Sequence, residues 1–445
     1  MRRPSPRLSA GVVTALLCGA TALSQLVSGP AGHADVAAVA KVPSTPTTAT
    51  AVSPATAARV AAATTATRAA ASVPQVVPAP DATLASAIRS RMARSTSHVY
   101  GVVVDVDGVG RVVDINGGTS LLPASTEKLF TTLPLLEQRS GQRLVTTVGA
   151  AGAPAAGVLH GDLVIRASGD PTMMGAGLID LARQVRAHGI RRVTGRLVLN
   201  IGSLPIAPTR LGWKSSYVPG DIGPLSPFPV HYDTWRTAAS YVAHPTTGNL
   251  LLFRSKLAAA GVHVVGGNVV ARSGSTATVF AQHSSATLGA TVAHTLRWSD
   301  NFYAEQLLNV GGGLAPVVSA ASAAGAGGSA TDGSGLSLRD RRTARGEVAL
   351  LHAAGRGPAA ASLLASLPVA CKSGTLLHEM CNTSAAGKVF AKTGTLDHVK
   401  ALAGYTTDAR GRLVTFAFLT SGDVNTSTAM NAIERSMIVL RHYAG

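Results

Sequence analysis

Aromatic side chains are scarce in this chain, 4% of 445 residues, and charged ones make up only 14%. The first scarcity leaves packing to alanine, valine and leucine. The second, beside 46% hydrophobic residues, excludes a disordered, self-repelling polymer. A chain this long buries a large core and forms more than one structural unit. Carboxylates are the scarcer charge, 22 acidic against 39 basic residues, for a net +17. That balance calls for an anionic partner: nucleic acid, a lipid surface or an acidic polymer. Cysteine is limited to three residues, and no metal-ligand spacing occurs. "LHEMCN" carries His378 and Glu379 without the second histidine of a zinc helix. Neither metal nor cofactor is expected.

What is present begins with an export pattern. Arg2, Arg3 and Arg7 precede an apolar stretch from about Leu8 to Val27, then the small residues of "SGPAGHADVAA". Residues 1–34 are read as a secretory signal peptide cleaved near Ala34. An uncleaved anchor is the competing reading, weakened by Ser24, Gln25 and the glycines. Cys18 follows Leu17 in "ALLCG", a poor lipid-attachment site. Export argues against nucleic acid and makes cell-envelope polymers the natural anionic partner. It also places Cys371 and Cys381 in an oxidising compartment, where the pair is expected to close a small loop as a disulfide; two buried thiols are the alternative.

Residues 35–80, an Ala/Thr/Pro/Val tract without periodicity, read as a flexible linker. Order is expected from Leu84, with a helix in "LASAIRSRMARS" and a β-hairpin in "VYGVVVDVDGVGRVVDING". Residues 81–150 form the first part of one domain. From 151 to 282 the texture becomes mostly β: "DLVIRAS", "RVTGRLVLNIG", "GNLLLF" and "VHVVGGNVVAR" read as strands around the helix "GLIDLARQVRAHG". This is an inserted, mainly β domain. Residues 283–445 return to helices, then strands at "KVFAKTG", "KALAGYTTD" and "RLVTFAFLTSGD", and a last helix from Ser427 to His442. The fold class expected is α+β, an antiparallel sheet covered by helices and interrupted by the insertion.

Three short motifs carry the chemistry. In "PASTEKLFTT", Ser125 and Lys128 stand three apart at a helix entrance, on one face. A lysine held there without its proton takes one from the serine and makes it a nucleophile; a helix cap beside a solvated lysine is the plain alternative. Ser299-Asp300-Asn301 opens "NFYAEQLLN". Lys392-Thr393-Gly394-Thr395 ends a short strand, where an extended peptide adds to the sheet edge. Lys372-Ser373-Gly374-Thr375 is a rival for the third motif but is followed by no clean strand. Ser-x-x-Lys, Ser-x-Asn and Lys-Thr-Gly in this order are the set of penicillin-binding proteins and serine β-lactamases.

Together with "SGDPTM", "HGIRRVTGRLVLN", "DGSGLSLRDRRTA" and "AKTGTLDHVKALAGY", these motifs make the chain from Leu84 onward resemble the low-molecular-mass class C penicillin-binding proteins. These are the DacB-like D-alanyl-D-alanine carboxypeptidases and endopeptidases. The resemblance implies a penicillin-binding, β-lactamase-like transpeptidase domain acting on peptidoglycan stem peptides that end in D-Ala-D-Ala, acylated by β-lactams. It implies Ser125 as nucleophile, Lys128 as base, Ser299 as proton relay, and Asn301, Lys392, Thr393, Gly394 and Thr395 as substrate-binding. The backbone N–H groups of Ser125 and Thr395 would form the oxyanion hole, and the "DGSGL" turn would lie near the pocket. Two departures stand out. The segment between Ser125 and Ser299 is shorter than the family's usual insertion, and Glu127 occupies a position more often neutral. The alternatives are a β-lactamase, for which "EQLLN" is a superficial match, and a wall-binding protein without catalysis.

Overall fold

The computed structural model describes residues 80–445 except 96, 234, 235, 238, 239, 242 and 243. The leader and linker expected over 1–79 lie outside the described residues.

Helix α1 (Ala82–Met92) is capped by Asp81, whose carboxylate accepts the Leu84 N–H at 2.9 Å. A hairpin follows, β1 (Val99–Val106) and β2 (Gly110–Ile115), turned through Gly108 and Gly110 at φ of 75° and 99°. Helix α2 (Glu127–Arg139) comes next. The chain then builds β3 (Arg143–Ala150), β4 (Leu163–Arg166), α3 (Gly175–Ala187), β5 (Leu197–Asn200), α4 (Pro245–Ala259), β6 (Asn268–Ala271) and β7 (Thr278–Thr287). It returns through α5 (Leu288–Trp298), α6 (Asn301–Val310), α7 (Leu314–Ala323) and α8 (Ala344–Arg356). The chain ends with β8 (Phe390–Leu396), β9 (Val399–Thr407), β10 (Leu413–Ser421) and α9 (Thr426–His442).

The first sheet has the order β8-β9-β10-β1-β2 and is antiparallel throughout. Its side chains alternate between two covered faces, so the strands read as continuous apolar runs rather than half-polar ones. Val102, Val104, Phe416 and Phe418 meet Ile88 and Met92 of α1 and Ile433 and Met437 of α9. Val103, Ala403, Ala417 and Leu419 meet Leu129, Phe130 and Leu133 of α2 with Leu351 of α8. The two phenylalanines of β10 lie on the α9 side, and its Ala417, with Ala401 and Ala403 of β9, lies on the α2 side. Small residues there let the Ser125 turn approach the sheet.

The second sheet, β6-β5-β4-β3-β7, is parallel across β6, β5 and β4, while β3 runs antiparallel to both its neighbours. Helices α3 and α4 cover it with Leu178, Leu181, Val185, Leu250, Phe253 and Leu257. Its first and last strands in sequence, β3 and β7, reach beyond both ends of the expected 151–282 insertion, from Arg143 to Thr287. One element is corrected: "GNLLLF", read as a strand, is the middle of α4. A short apolar run has no period of its own to tell strand from helix. Pro245 at the helix start, and burial of Asn249, Leu250, Phe253 and Leu257 at helical spacing, decide the matter.

Candidate active site

Ser125 sits in a single 3-10 turn, Ala124–Thr126, that leads into α2. Ala124 has φ 48°, a left-handed conformation that a non-glycine residue adopts only when its surroundings impose it. Two glycines clamp this turn. A Cβ on Gly335 would fall 1.8 Å from the Ala124 carbonyl oxygen, and one on Gly394 would fall 2.7 Å from that of Pro123. Gly394 is thus bare toward the Ser125 turn, not toward substrate as its place in the motif suggested.

Lys128 is wholly buried, one turn beyond Ser125. Its Nζ is 2.9 Å from Ser125 Oγ, 2.7 Å from Asn301 Oδ1 and 2.6 Å from the Ser334 carbonyl oxygen. An uncharged amine has two N–H bonds and one lone pair. Asn301 and Ser334 accept the two hydrogens, which turns the lone pair toward the Ser125 hydroxyl. Burial lowers the Lys128 pKa to about 8, against the opposing pull of Asp332, Asp300, Glu305 and Glu127.

Asn301 starts α6, where Asp300 caps the helix by accepting the Tyr303 N–H at 2.9 Å. Its amide nitrogen donates to the Asp221 carbonyl at 3.0 Å, so both ends of the side chain are held by protein. Ser299 lies between α5 and α6 at φ 59°, a left-handed turn residue that sets its hydroxyl toward Lys392. Lys392 Nζ donates to Ser299 Oγ at 2.8 Å and to the Thr393 carbonyl at 2.7 Å. Lys392 is fully buried, and that burial, with the nearby charge of Lys128, lowers its pKa well below the usual lysine value. Its contacts are with Ser299 and its own strand, and it has no surface open to the cleft.

The cleft is a cavity of about 230 Å³ on which Ser125, Ser299, Thr375, Thr393, Thr395 and Lys400 open. Thr375 is the surprise. It comes from the rival "KSGT" string, and its Oγ1 shares a hydrogen bond of 2.7 Å with Thr393 Oγ1. The string set aside as a motif therefore supplies a wall of the same pocket. The loop that carries it is closed by the expected disulfide between Cys371 and Cys381.

The "DGSGL" turn does lie at the pocket, because its Ser334 carbonyl holds Lys128. Asp332, wholly buried, accepts the N–H groups of Gly335 and Ser337 at 2.7 and 2.8 Å and the Trp213 indole N–H at 2.7 Å. Glu305 completes the clamp. Its Oε1 accepts the N–H of both Gly333 and Ser334 at 2.8 Å, and its Oε2 accepts from Arg210 at 2.9 Å. Glu305 is thus committed to the turn, which removes the likeness to a deacylating glutamate that "EQLLN" suggested.

Glu127 points away from the pocket. Arg342 donates to both its carboxylate oxygens, at 2.8 and 2.6 Å, and the guanidinium lies 3.8 Å above the Phe130 ring centre. Burial pushes the Glu127 carboxyl up to about 7, while the charge and hydrogen bonds of Arg342 hold it down. Sequence reasoning missed Thr375, Lys400, Arg210 and the role of Glu305. Only the second Lys-Ser-Gly-Thr string was a local signal for any of them.

Ser125 in the turn that opens α2, hydrogen-bonded to a buried lysine and set beside the Ser299–Lys392 pair at a sheet edge, fits a penicillin-binding serine acyl transferase. The chain belongs to the D-Ala-D-Ala carboxypeptidase 3 (S13) family, whose model matches residues 83–220 and 228–442. It is 32% identical over 420 residues to the carboxypeptidase DacB of Mycolicibacterium smegmatis, covering 84% of this chain and 88% of that protein. It is 30% identical over 439 residues to a D-alanyl-D-alanine carboxypeptidase of an Actinomadura species, covering 77% and 81%. The fold is similar to that of penicillin-binding protein 4 from Haemophilus influenzae, with a TM-score of 0.72 at 19% identity over 80% of this chain and 99% of that one. The activity is that of a serine-type D-Ala-D-Ala carboxypeptidase.

Proposed function

We propose that Ser125 is the nucleophile and that the substrate is the peptidoglycan stem peptide ending in D-Ala-D-Ala, met outside the cytoplasm after removal of residues 1–34. The observation that carries this reading is the Lys128 amine 2.9 Å from Ser125 Oγ, with its other contacts taken by Asn301 and the Ser334 carbonyl. Ser125 Oγ bonds to the carbonyl carbon of the penultimate D-alanine as Lys128 takes the hydroxyl proton. The N–H groups of Ser125 and Thr395 stabilise the oxyanion. The C–N bond then breaks, and Ser299 passes a proton to the departing amine, with Lys392 holding the relay in place. Water finally hydrolyses the ester by the reverse proton path. Asn301 positions Lys128 as well as the substrate's peptide group, and the Thr393 hydroxyl faces the terminal carboxylate. A cross-link in which the same acyl group is joined to a longer amine is cut by the same steps, so endopeptidase action belongs to this reading. The net charge of +17 suits an enzyme working against anionic wall polymers.

Benzylpenicillin tests this reading. Intact-mass analysis is expected to show one penicilloyl adduct that persists for minutes or longer, and peptide mapping should place it on Ser125. A label elsewhere, or none on folded protein, would refute the assignment.

A further inference from the structure

A substrate that ends in a carboxylate needs a cation at the place where that carboxylate rests, and the motif lysine does not offer one. Lys392 is sealed, with its amine on Ser299 and the Thr393 carbonyl. The cation that opens on the cavity is Lys400. It stands on β9 directly opposite Thr395 of β8, and its Nζ donates to Thr395 Oγ1 at 2.9 Å. Its backbone is pinned on the far side. The Lys400 N–H donates to Thr420 Oγ1 at 3.1 Å, and the same hydroxyl donates to the Lys400 carbonyl at 3.0 Å. The lysine is therefore placed by three neighbouring strands, β8, β9 and β10, and not by a loop.

We propose that Lys400 reads the free carboxylate of the leaving amino acid, with the hydroxyls of Thr393, Thr375 and Thr395 as its hydrogen-bonding partners. The proposal rests on the acyl-transfer reading above and adds the specificity of its leaving-group half. No salt bridge among the described residues involves Lys400, so its ammonium has no fixed counter-ion. Burial lowers its pKa, and Glu379, Glu434 and Asp423 oppose that shift. Glu379 also borders the cavity, but its carboxyl is hydrogen-bonded to that of Glu434. Burial first, then the hydrogen bond and charge of Glu379, push Glu434 up to about 7, so Glu434 does not present a full negative charge beside Lys400 at neutral pH. A carboxylate arriving at Thr395 thus meets three hydroxyls and an ammonium already hydrogen-bonded to one of them. The substrate class that follows is narrow. Leaving groups with a free α-carboxylate are accepted, whether a terminal D-alanine or a cross-linked amino acid cut at its D-centre. Amidated ends and side-chain amines without a neighbouring carboxylate are disfavoured.

The test compares Lys400→Met and Lys400→Arg with the unaltered enzyme on two substrates. One is a tripeptide ending in D-Ala-D-Ala, and the other is a thioester of the same acyl group with an uncharged thiol as leaving group. Lys400→Met is expected to lower kcat/KM on the tripeptide roughly ten- to a hundredfold, mainly through KM, with a loss on the thioester at least ten times smaller. Lys400→Arg should recover most of the tripeptide activity. Equal losses on the two substrates, or full activity of Lys400→Met on the tripeptide, would overturn the carboxylate-reading role. Unaltered enzyme that neither cleaves the tripeptide nor takes up penicillin at Ser125 would instead refute the acyl-transfer reading, which keeps the two failures separate.

Discussion

A lysine serves as a base only while it is uncharged, and the fold favours that state of Lys128, the base proposed above, by removing it from water. Burial lowers its pKa from the usual 10.5 to about 8, so its neutral fraction grows as pH rises through that value. The rate of acylation by benzylpenicillin at low concentration should rise about tenfold per pH unit below 8 and level off above it. A flat profile between pH 6 and 8 would show that a different group takes the proton. Lys128→Arg should keep the fold, as judged by circular dichroism, yet lose acylation by several orders of magnitude, since arginine does not give up its proton. Two residues adjacent in sequence but different in function share this turn. Glu127, next in the chain, carries its charge into a buried pair with Arg342, so adjacent positions serve the site and the scaffold separately.

At the level of elements, the site is a meeting of turns held by buried side chains. The disulfide between Cys371 and Cys381 spans ten residues and fastens the segment that brings Thr375 and Glu379 to the cavity. Replacing both cysteines by serine should cost about 2–3 kcal/mol, the unfolded-state entropy of so short a loop. It should also raise KM for the tripeptide while leaving the pH dependence set by Lys128 in place, which unfolding curves and steady-state kinetics will show. An unchanged KM would mean that Thr375 is held without the bridge. The same elements explain what was legible in advance. Ser125, Lys128, Ser299, Asn301 and Lys392 were readable because each lies in a short string whose spacing already implies its local geometry. The hairpin and the last three strands were readable from their valine-rich runs and glycine turns. Thr375, Arg210 and Lys400 were hidden, because only strand register and loop closure bring them to the pocket. Glu305 was misleading, since a string resembling a catalytic loop lies on a helix whose carboxylate is spent on backbone N–H groups. The strand expected at "GNLLLF" failed for the converse reason, that the apolar run is too short to reveal its period.

Over the whole molecule, the first sheet joins the two ends of the described chain. β1 pairs with β10, Val99 opposite Ser421, while the second sheet occupies the sequence between them. Closing so large a loop adds only about 0.6 kcal/mol per doubling of its length, so the arrangement is tolerable once formed but slow to find. A chain ending at Asp408 lacks β10 and α9. It should show no cooperative thermal transition for the first sheet and no penicillin adduct; an adduct at Ser125 in that fragment would contradict this picture. The order of biosynthesis adds a consequence. Ser125 and Lys128 are made well before β8 and β9, against which their turn packs. Until those strands are made, the chain has Ser125 and Lys128 but not the sheet edge that holds their turn. An enzyme that works through Ser125 is therefore expected to be dormant until β8 and β9 have paired.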